Sequence, residues 1–442
     1  MRVDYLHTGT ATEEHFAVDR VVLEPLAWPG HRDRAIDATN LGKYFFEVVD
    51  PSSQRVLYSR GFASIYGEWE TTPEAKQKEQ VFSESFRFPA PPDPFEIHLK
   101  KRDPSNAFVE IWKVAVNPKD AQPAGSSAIA GPVIEIEKHG PSAEKVDFLI
   151  LGDGYTQAER AKFEKDARRL VDILFSKSPF RERRNDFNVW GLCPAAAESG
   201  ISRPSTGVHH ASPVGATYDA FGSERYILTF ENRAMRDIAA SAPYEFIEIL
   251  TNSNTYGGGG IFNLYSTVAA DSMWSPYVFI HEFGHHIAGL ADEYYTSEVA
   301  YEPAQARVEP WEPNVTALYD ANRFKWKDLV SEGTPIPTPW SKEAFESASR
   351  DYQAKRKKIR AERRPESEMD ALFSEEKKIE TSLLSSDAHA AKVGAFEGAN
   401  YEGKGYFRPQ EDCVMFSRDD VPFCAACRRA ISRVIDLYAG GK

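Results

Sequence analysis

Hydrophobic and polar positions alternate in short runs over the opening part of the chain. Arg20 to Glu24, Tyr44 to Val49, Arg55 to Tyr58 and Phe95 to Lys100 each read as a half-buried strand. Turn formers such as Asp50-Pro51-Ser52-Ser53 and the proline cluster between Pro89 and Pro94 separate them. Strands at this spacing predict an N-terminal β-sandwich over 1–120. From Asn117 the periodicity is lost among turn-forming residues, including Gly125-Ser126-Ser127, which predicts a linker over 121–145. Beyond it the period changes. Val146 to Gly152 is a buried strand. Thr156 to Phe175 has helical spacing at Ala158, Ala161, Phe163, Leu170 and Leu174. Further strands are expected at 187–192, 225–229 and 245–250, so 146–442 reads as an α/β domain. Residues 341–392 are highly charged and helix-favouring, with a break at Pro365, and predict an inserted helical hairpin. The fold class expected is therefore α+β and multidomain.

Composition narrows the function. The 442 residues are 42% hydrophobic and 27% charged, enough apolar material for real cores. No apolar run approaches the length of a membrane-spanning helix. The 53 basic against 66 acidic residues give a net charge of −13, which argues against nucleic acid as a partner. The short mixed-sign runs Lys355–Lys358 and Glu375–Lys378 read as solvated faces.

The chemistry concentrates in Ser275 to Tyr295. His281-Glu282-Phe283-Gly284-His285 is an H-E-x-x-H motif, expected by chance only about 0.02 times in a chain with this histidine content. Ser275 is placed to cap a helix and Pro276 to occupy its first turn. On that helix His281 and His285 share a face about 6 Å apart, the spacing at which two imidazoles bind one zinc. Glu282 lies beside the first of them as general base. Gly289 is suited to end the helix in a left-handed conformation. Were the helix to continue, Asp292 would lie about 10 Å along the axis from His285. A turn after Gly289 lets Asp292 fold back as third ligand, with Glu293 as the adjacent alternative. His286 lies off this face and reads as structural.

The stretch resembles the metzincin-like zinc peptidases, whose longer motif is H-E-x-x-H-x-x-G-x-x-H. Here Gly289 and Asp292 sit one residue later, and the third ligand is Asp rather than His. A closer likeness is to the IgA-peptidase family of zinc metallopeptidases. It is carried by His281 to His285 with Gly289 to Tyr294, by Asp153-Gly154-Tyr155-Thr156, and by the glycine run 257–260. Gly394 to Ala399, Lys404 to Pro409, and Cys413 to Phe416 with Phe423 to Cys427 add to it. Trp28-Pro29-Gly30, Tyr58 to Ala63 and Phe82 to Pro89 are similar to the domain that often precedes the catalytic unit there. The resemblance implies a metzincin-like domain, one catalytic zinc, and hydrolysis of peptide bonds in protein substrates such as immunoglobulin A or other host or mucosal proteins. It also implies that Met415 forms a turn beneath the zinc.

Several finer expectations follow. Tyr401 and Tyr406 are candidate oxyanion donors, as are Tyr294 and Tyr295. The glycine run 257–260 reads either as an edge strand that adds a substrate strand or as a flexible turn. A disulfide from Cys413 to Cys424 or Cys427 is expected, with Cys193 taking the leftover cysteine. A redox pair lacks its strand–helix context, and a second zinc lacks an obvious fourth ligand. Disulfides would place the protein outside the cytosol, and no signal peptide is evident in this sequence. The alternative function is a surface binding protein acting through the N-terminal sandwich, with a structural or vestigial zinc site.

Overall fold

A computed structural model describes residues 1–31, 33–124, 130–297 and 307–440. The N-terminal part contains β1 (Arg2–Gly9), β2 (Glu14–Leu23), β3 (Tyr44–Val49), β4 (Val56–Phe62), helix α1 (Ile65–Trp69), β5 (Gln80–Arg87), β6 (Phe95–Arg102), β7 (Phe108–Val116) and β8 (Gln122–Pro123). These make two four-stranded sheets, ordered β5-β1-β2-β8 and β4-β3-β6-β7. Successive side chains on a strand point to opposite faces. Tyr5 and Phe86 from one sheet therefore meet Phe46, Tyr58, Ile97 and Leu99 from the other in one buried cluster.

β1 and β5 escape the hydrophobic pattern because charged residues lie inside them: Arg2, Asp4, His7 and Glu84 are all buried. Each is paired, as burial of a charge demands. Asp4 accepts from Arg2 Nε at 2.8 Å, Arg20 Nε at 2.6 Å and Ser85 Oγ at 2.6 Å. His7 lies 3.0 Å from both Glu14 and Glu84.

The stretch expected to be a linker is partly ordered into sheets. β8 pairs with β2, and β9 (Ile134–Glu137) forms an edge of the second region's sheet. Gly125, Ser126 and Ser127 lie outside the described residues.

The second region is mixed α/β. Its sheet contains β9, β10 (Val146–Asp153), β11 (Phe187–Leu192), β14 (Phe246–Thr251), β15 (Gly258–Ile261) and β16 (Tyr265–Ala269), ordered β15-β16-β14-β10-β11-β9. β12 (Ala216–Thr217) and β13 (Leu228–Thr229) pair separately, so only the end of the run expected at 225–229 is a strand. The four inner strands are parallel, and β9 and β15 run antiparallel at the edges. β10 is buried along its whole length, as a parallel strand covered on both faces requires. Its helices are α2 (Arg160–Leu174), α3 (Phe180–Arg183), α4 (Asn232–Ala239) and α5 (Ser275–Ala288), then α6 (Lys342–Ala361), α7 (Glu366–Ser385) and α8 (Ala425–Ala439). α5 packs on β15 and β16 and against α2 and α8. α6 and α7 are the paired helices of the charged insertion, and Pro365 caps the second. The hairpin β17 (Phe396–Ala399) and β18 (Glu402–Arg408) lies between α7 and α8 in sequence. Among the described residues, no helix is long and apolar enough to cross a membrane.

The two regions share a core. Ala63, Ile65, Tyr66, Trp69 and Phe82 belong to the same buried cluster as Phe148 and Phe283. Backbone hydrogen bonding continues across the junction, where Ala63 N–H donates to Phe262 O at 2.9 Å. Arg20 reaches Asp237 at 3.0 Å, and Arg87 Nη1 donates to Tyr244 O at 2.6 Å.

Candidate active site

Helix α5 supplies the histidines. It begins one residue earlier than the sequence suggested. Trp274 is the capping residue and Ser275 the first helical one, with Pro276 still in the opening turn. Ser275 Oγ accepts from Arg169 rather than capping the helix. Gly289 ends the helix with φ +56°, and its N–H donates to His285 O. A side chain at 289 would collide with the Trp311 ring, so glycine is required by space as well as by conformation. The chain then turns back through Leu290 and Ala291, held by reciprocal hydrogen bonds between Ala291 and Asn314 at 2.8 and 2.9 Å.

This return brings Asp292 onto the histidines. The two Nε2 atoms of His281 and His285 lie 3.2 Å apart. Asp292 Oδ1 lies 2.9 Å from the first and 3.3 Å from the second. The proton positions follow from the other ring nitrogens. His281 Nδ1 donates to Val414 O at 2.9 Å and His285 Nδ1 to Leu290 O at 2.5 Å, because a carbonyl can only accept. In the neutral rings both Nε2 atoms are then bare lone pairs facing a carboxylate. Asp292 Oδ1 is buried and has no hydrogen-bond donor. Three acceptors converging this closely repel one another unless a cation lies among them. A tetrahedral ion with bonds of about 2.0–2.2 Å would hold its donors about 3.3–3.6 Å apart, close to the spacing here. The donor set therefore fits zinc. Burial disfavours the Asp292 carboxylate, but the positive charge on His285 and His281, once these are protonated, outweighs it and holds the group well below the usual range.

Glu282 faces the same cleft beside the cluster. Burial pushes its carboxyl above the ordinary carboxylate range, with His281 and His285 acting against that rise. His286 points away. Its Nε2 accepts from Ile247 N–H and its Nδ1 donates to Ile261 O, both at 3.1 Å. Burial lowers it to about 3, so it stays a neutral tie between helix and sheet.

Met415 is fully buried beneath α5. Its sulfur would lie 3.1 Å from a Cβ at Gly284, so glycine between the two histidines lets the methionine pack close under the helix. The turn is closed by Phe416 N–H to Cys413 O at 2.8 Å. It presents Val414 O to His281 and Met415 O to the Glu293 N–H.

The glycine run is an edge strand rather than a flexible turn. A Cβ at Gly260 would lie 2.3 Å from Glu282 O, and one at Gly258 would lie 2.5 Å from Val278. The glycines let β15 lie directly on α5. At Gly258 the strand's outer edge is already bridged to Tyr226, and both Gly258 and Gly260 line the cleft.

The tyrosines separate. Tyr401 is brought to the cluster, where its hydroxyl donates to Asp292 Oδ2. With Asn400 it forms the two-residue turn of the β17–β18 hairpin, both at positive φ (+53° and +64°), the primed turn that suits a right-twisted hairpin. The turn's N–H groups donate to Asp292 O and Tyr294 O, at 3.0 and 3.1 Å. Tyr406 lines the same cleft but is not placed on the cluster. Its hydroxyl accepts from Val308 N–H at 3.1 Å, and it packs with Ala291, Val315, Ala317 and Ala399. Tyr294 stacks on His281 with 6.1 Å between ring centres, and its hydroxyl accepts from Arg225 Nη2 at 3.3 Å. Tyr295 packs instead against Phe345 and Phe416. Arg225 was not singled out from the sequence, where it only opens the run expected as a strand at 225–229.

The cleft holding these groups has a volume of about 730 Å3 and has walls from both regions. Lys43, Glu68 and Arg102 of the N-terminal part line it together with Arg225, Tyr294 and Tyr401. The N-terminal part therefore contributes directly to the cleft.

The cysteines depart from the sequence reading. All four are unpaired, so the expected disulfides are absent. Cys413, Cys424 and Cys427 instead surround Glu293, the residue weighed as an alternative ligand at the histidines. Glu293 thus faces a different group of side chains from Asp292.

No curated protein matches the chain. Residues 1–113 match the family model described as Peptidase M64 N-terminus, and residues 134–435 match the one described as IgA Peptidase M64. With more than half of its length covered and its H-E-x-x-H helix inside that span, the chain belongs to the IgA peptidase M64 family and is a metallopeptidase.

Proposed function

We propose that this peptidase is a zinc endopeptidase of metzincin-like architecture, with an N-terminal β-sandwich that forms one wall of the substrate cleft. The observation that carries the reading is the convergence of His281 Nε2, His285 Nε2 and Asp292 Oδ1, with both Nδ1 protons committed to backbone carbonyls. His281, His285 and Asp292 would hold the ion, and zinc there would supply a Lewis acid able to lower the pKa of a water from about 15.7 toward 7. Glu282 takes the proton of the attacking water and returns it to the leaving amine. Tyr401 is a positioning residue: its hydroxyl is spent on Asp292 and orients that ligand. Tyr294 and Arg225 supply the donor and the positive charge that a developing oxyanion requires. The open Gly260 end of β15 offers backbone groups to an extended peptide. The walls from two regions suit a protein substrate better than a small molecule. Immunoglobulin A or another host or mucosal protein is the substrate class that the family's name suggests.

The test is digestion of a diverse peptide library by the full chain, with mass-spectrometric mapping of the new termini. Internal cleavages that vanish with a chelator, return with zinc and are missing in Glu282→Gln support the proposal. Cleavage unaffected by chelation, or equal in Glu282→Gln, contradicts it.

A further inference from the structure

The fold gathers Glu293, Cys413, Cys424 and Cys427 with their donor atoms all within 4.8 Å of one another. The thiols of Cys427 and Cys424 lie 3.3 Å and 3.6 Å from Glu293 Oε1. A tetrahedral ion with bonds of about 2.0–2.3 Å holds its donors about 3.3–3.8 Å apart. All four side chains are buried. Glu293 Oε2 is enclosed without any hydrogen-bond partner, although Oε1 accepts from Asn314 at 2.9 Å. A buried carboxylate oxygen left without a donor is costly unless something cationic meets it.

The backbone also favours negative sulfur. Cys424 caps α8, a 15-residue helix whose N-terminal end favours anions. Cys413 Sγ accepts from the N–H groups of Cys424 at 3.2 Å and Met415 at 3.5 Å, and Cys424 Sγ accepts from Cys427 N–H at 3.4 Å. Nearby Arg408 is fully buried and, among the described residues, makes no ion pair; its guanidinium donates to the backbone carbonyls of Glu411 and Gly398. A cluster of three thiolates and a carboxylate around a divalent ion is anionic and supplies the counter-charge.

We propose that Glu293, Cys413, Cys424 and Cys427 form a second, structural zinc site. Soft sulfur donors select zinc over magnesium or calcium, and four protein ligands with no cleft access leave no open position for water. The site ties three separate segments together: the loop after α5, the Met415 turn and the start of α8. Two of these bear on the histidine cluster. Glu293 is the neighbour of Asp292, and its N–H bonds Met415 O at 2.8 Å, while Val414 O orients His281. The second ion thereby holds the backbone that positions the first.

The test uses the full chain carrying His281→Ala and His285→Ala, which empties the cleft cluster and makes the result independent of the proposed activity. The variant is purified without chelator, and its metal content and free thiols are measured. It is then exchanged with cobalt. The expected result is one zinc per chain, a sulfur-to-cobalt charge-transfer band, and loss of both on adding Cys427→Ser. Wild type measured alongside is expected to carry two zinc ions and to give the same band, which guards against misfolding of the variants. A metal-free variant without the band, or a Cys424–Cys427 or Cys413–Cys424 disulfide in native wild type, overturns the site.

Discussion

Asp292 and Glu293 are consecutive residues that serve two clusters of opposite character. Asp292 joins two imidazoles at the wall of a cleft lined by both regions of the molecule. Glu293 turns into the core and joins three thiols with no route to that cleft. The backbone of one short loop, released by Gly289 and clamped by Asn314, sends neighbouring carboxylates to opposite sides. The difference teaches what sets a catalytic site apart from a structural one. Three protein donors beside a cleft leave room for water and a general base, whereas four buried donors, three of them sulfur, leave room for neither.

The sharpest way to separate the clusters is to remove Glu282, the base proposed for the open one. Glu282→Gln is expected to lower peptidase turnover by about 10²–10⁴-fold while the metal content stays at the wild-type value. Steady-state kinetics with metal analysis on the same sample checks both halves. The next test exchanges the neighbours. Asp292→Asn should cost the cleft ion and activity with little change in melting temperature. Glu293→Gln should cost the other ion, lower the melting temperature more, and reduce activity only through the displaced loop. Equal effects of the two variants on stability and metal content would erase the distinction. A smaller effect is expected from Tyr401→Phe, which removes a bond to the ligand but not the ligand itself. Zinc affinity of the cleft cluster should weaken by about 10–100-fold, measured by competition with a chelator, while the cysteine cluster keeps its ion.

The smallest effect lies away from both clusters. Burial alone would raise Glu14, but His7 and Lys101 hold its carboxyl at about 2, below its ordinary 4.5. A group depressed in the folded state stabilises above its unfolded pKa, and that contribution is lost as pH falls through the folded one. The stability gap between wild type and Glu14→Gln should be full above about pH 5 and fade toward pH 2. Acid titration of the chelator-treated protein, followed by circular dichroism, keeps metal release out of the comparison.

The sequence makes the open cluster readable because most of it is local. The H-E-x-x-H spacing, the glycine stop and a helical rise of about 1.5 Å per residue suffice to bring Asp292 back to His285. The closed cluster is hidden because its carboxylate lies 131 and 134 residues from the two α8 cysteines, and only the tertiary fold unites them. Cysteines alone suggested a disulfide. Arg225 and the role of Tyr401 were equally non-local, since the latter depends on a hairpin turn at positive φ meeting a loop more than 100 residues away. In the N-terminal part, Arg2, Asp4, His7 and Glu84 break the alternation that marks a strand; Arg2 and Asp4 pair within β1, but the cluster also draws on other strands and, for Arg2, on Asp237.

The most direct test is anomalous scattering at the zinc absorption edge from crystals of the full chain. The expected map has one peak among His281 Nε2, His285 Nε2 and Asp292 Oδ1, with its remaining side open to the cleft beside Glu282. A second peak should lie among Glu293 and the three cysteines. The absence of a peak at the histidines, or a peak there sealed by a fourth side chain, would contradict the catalytic assignment.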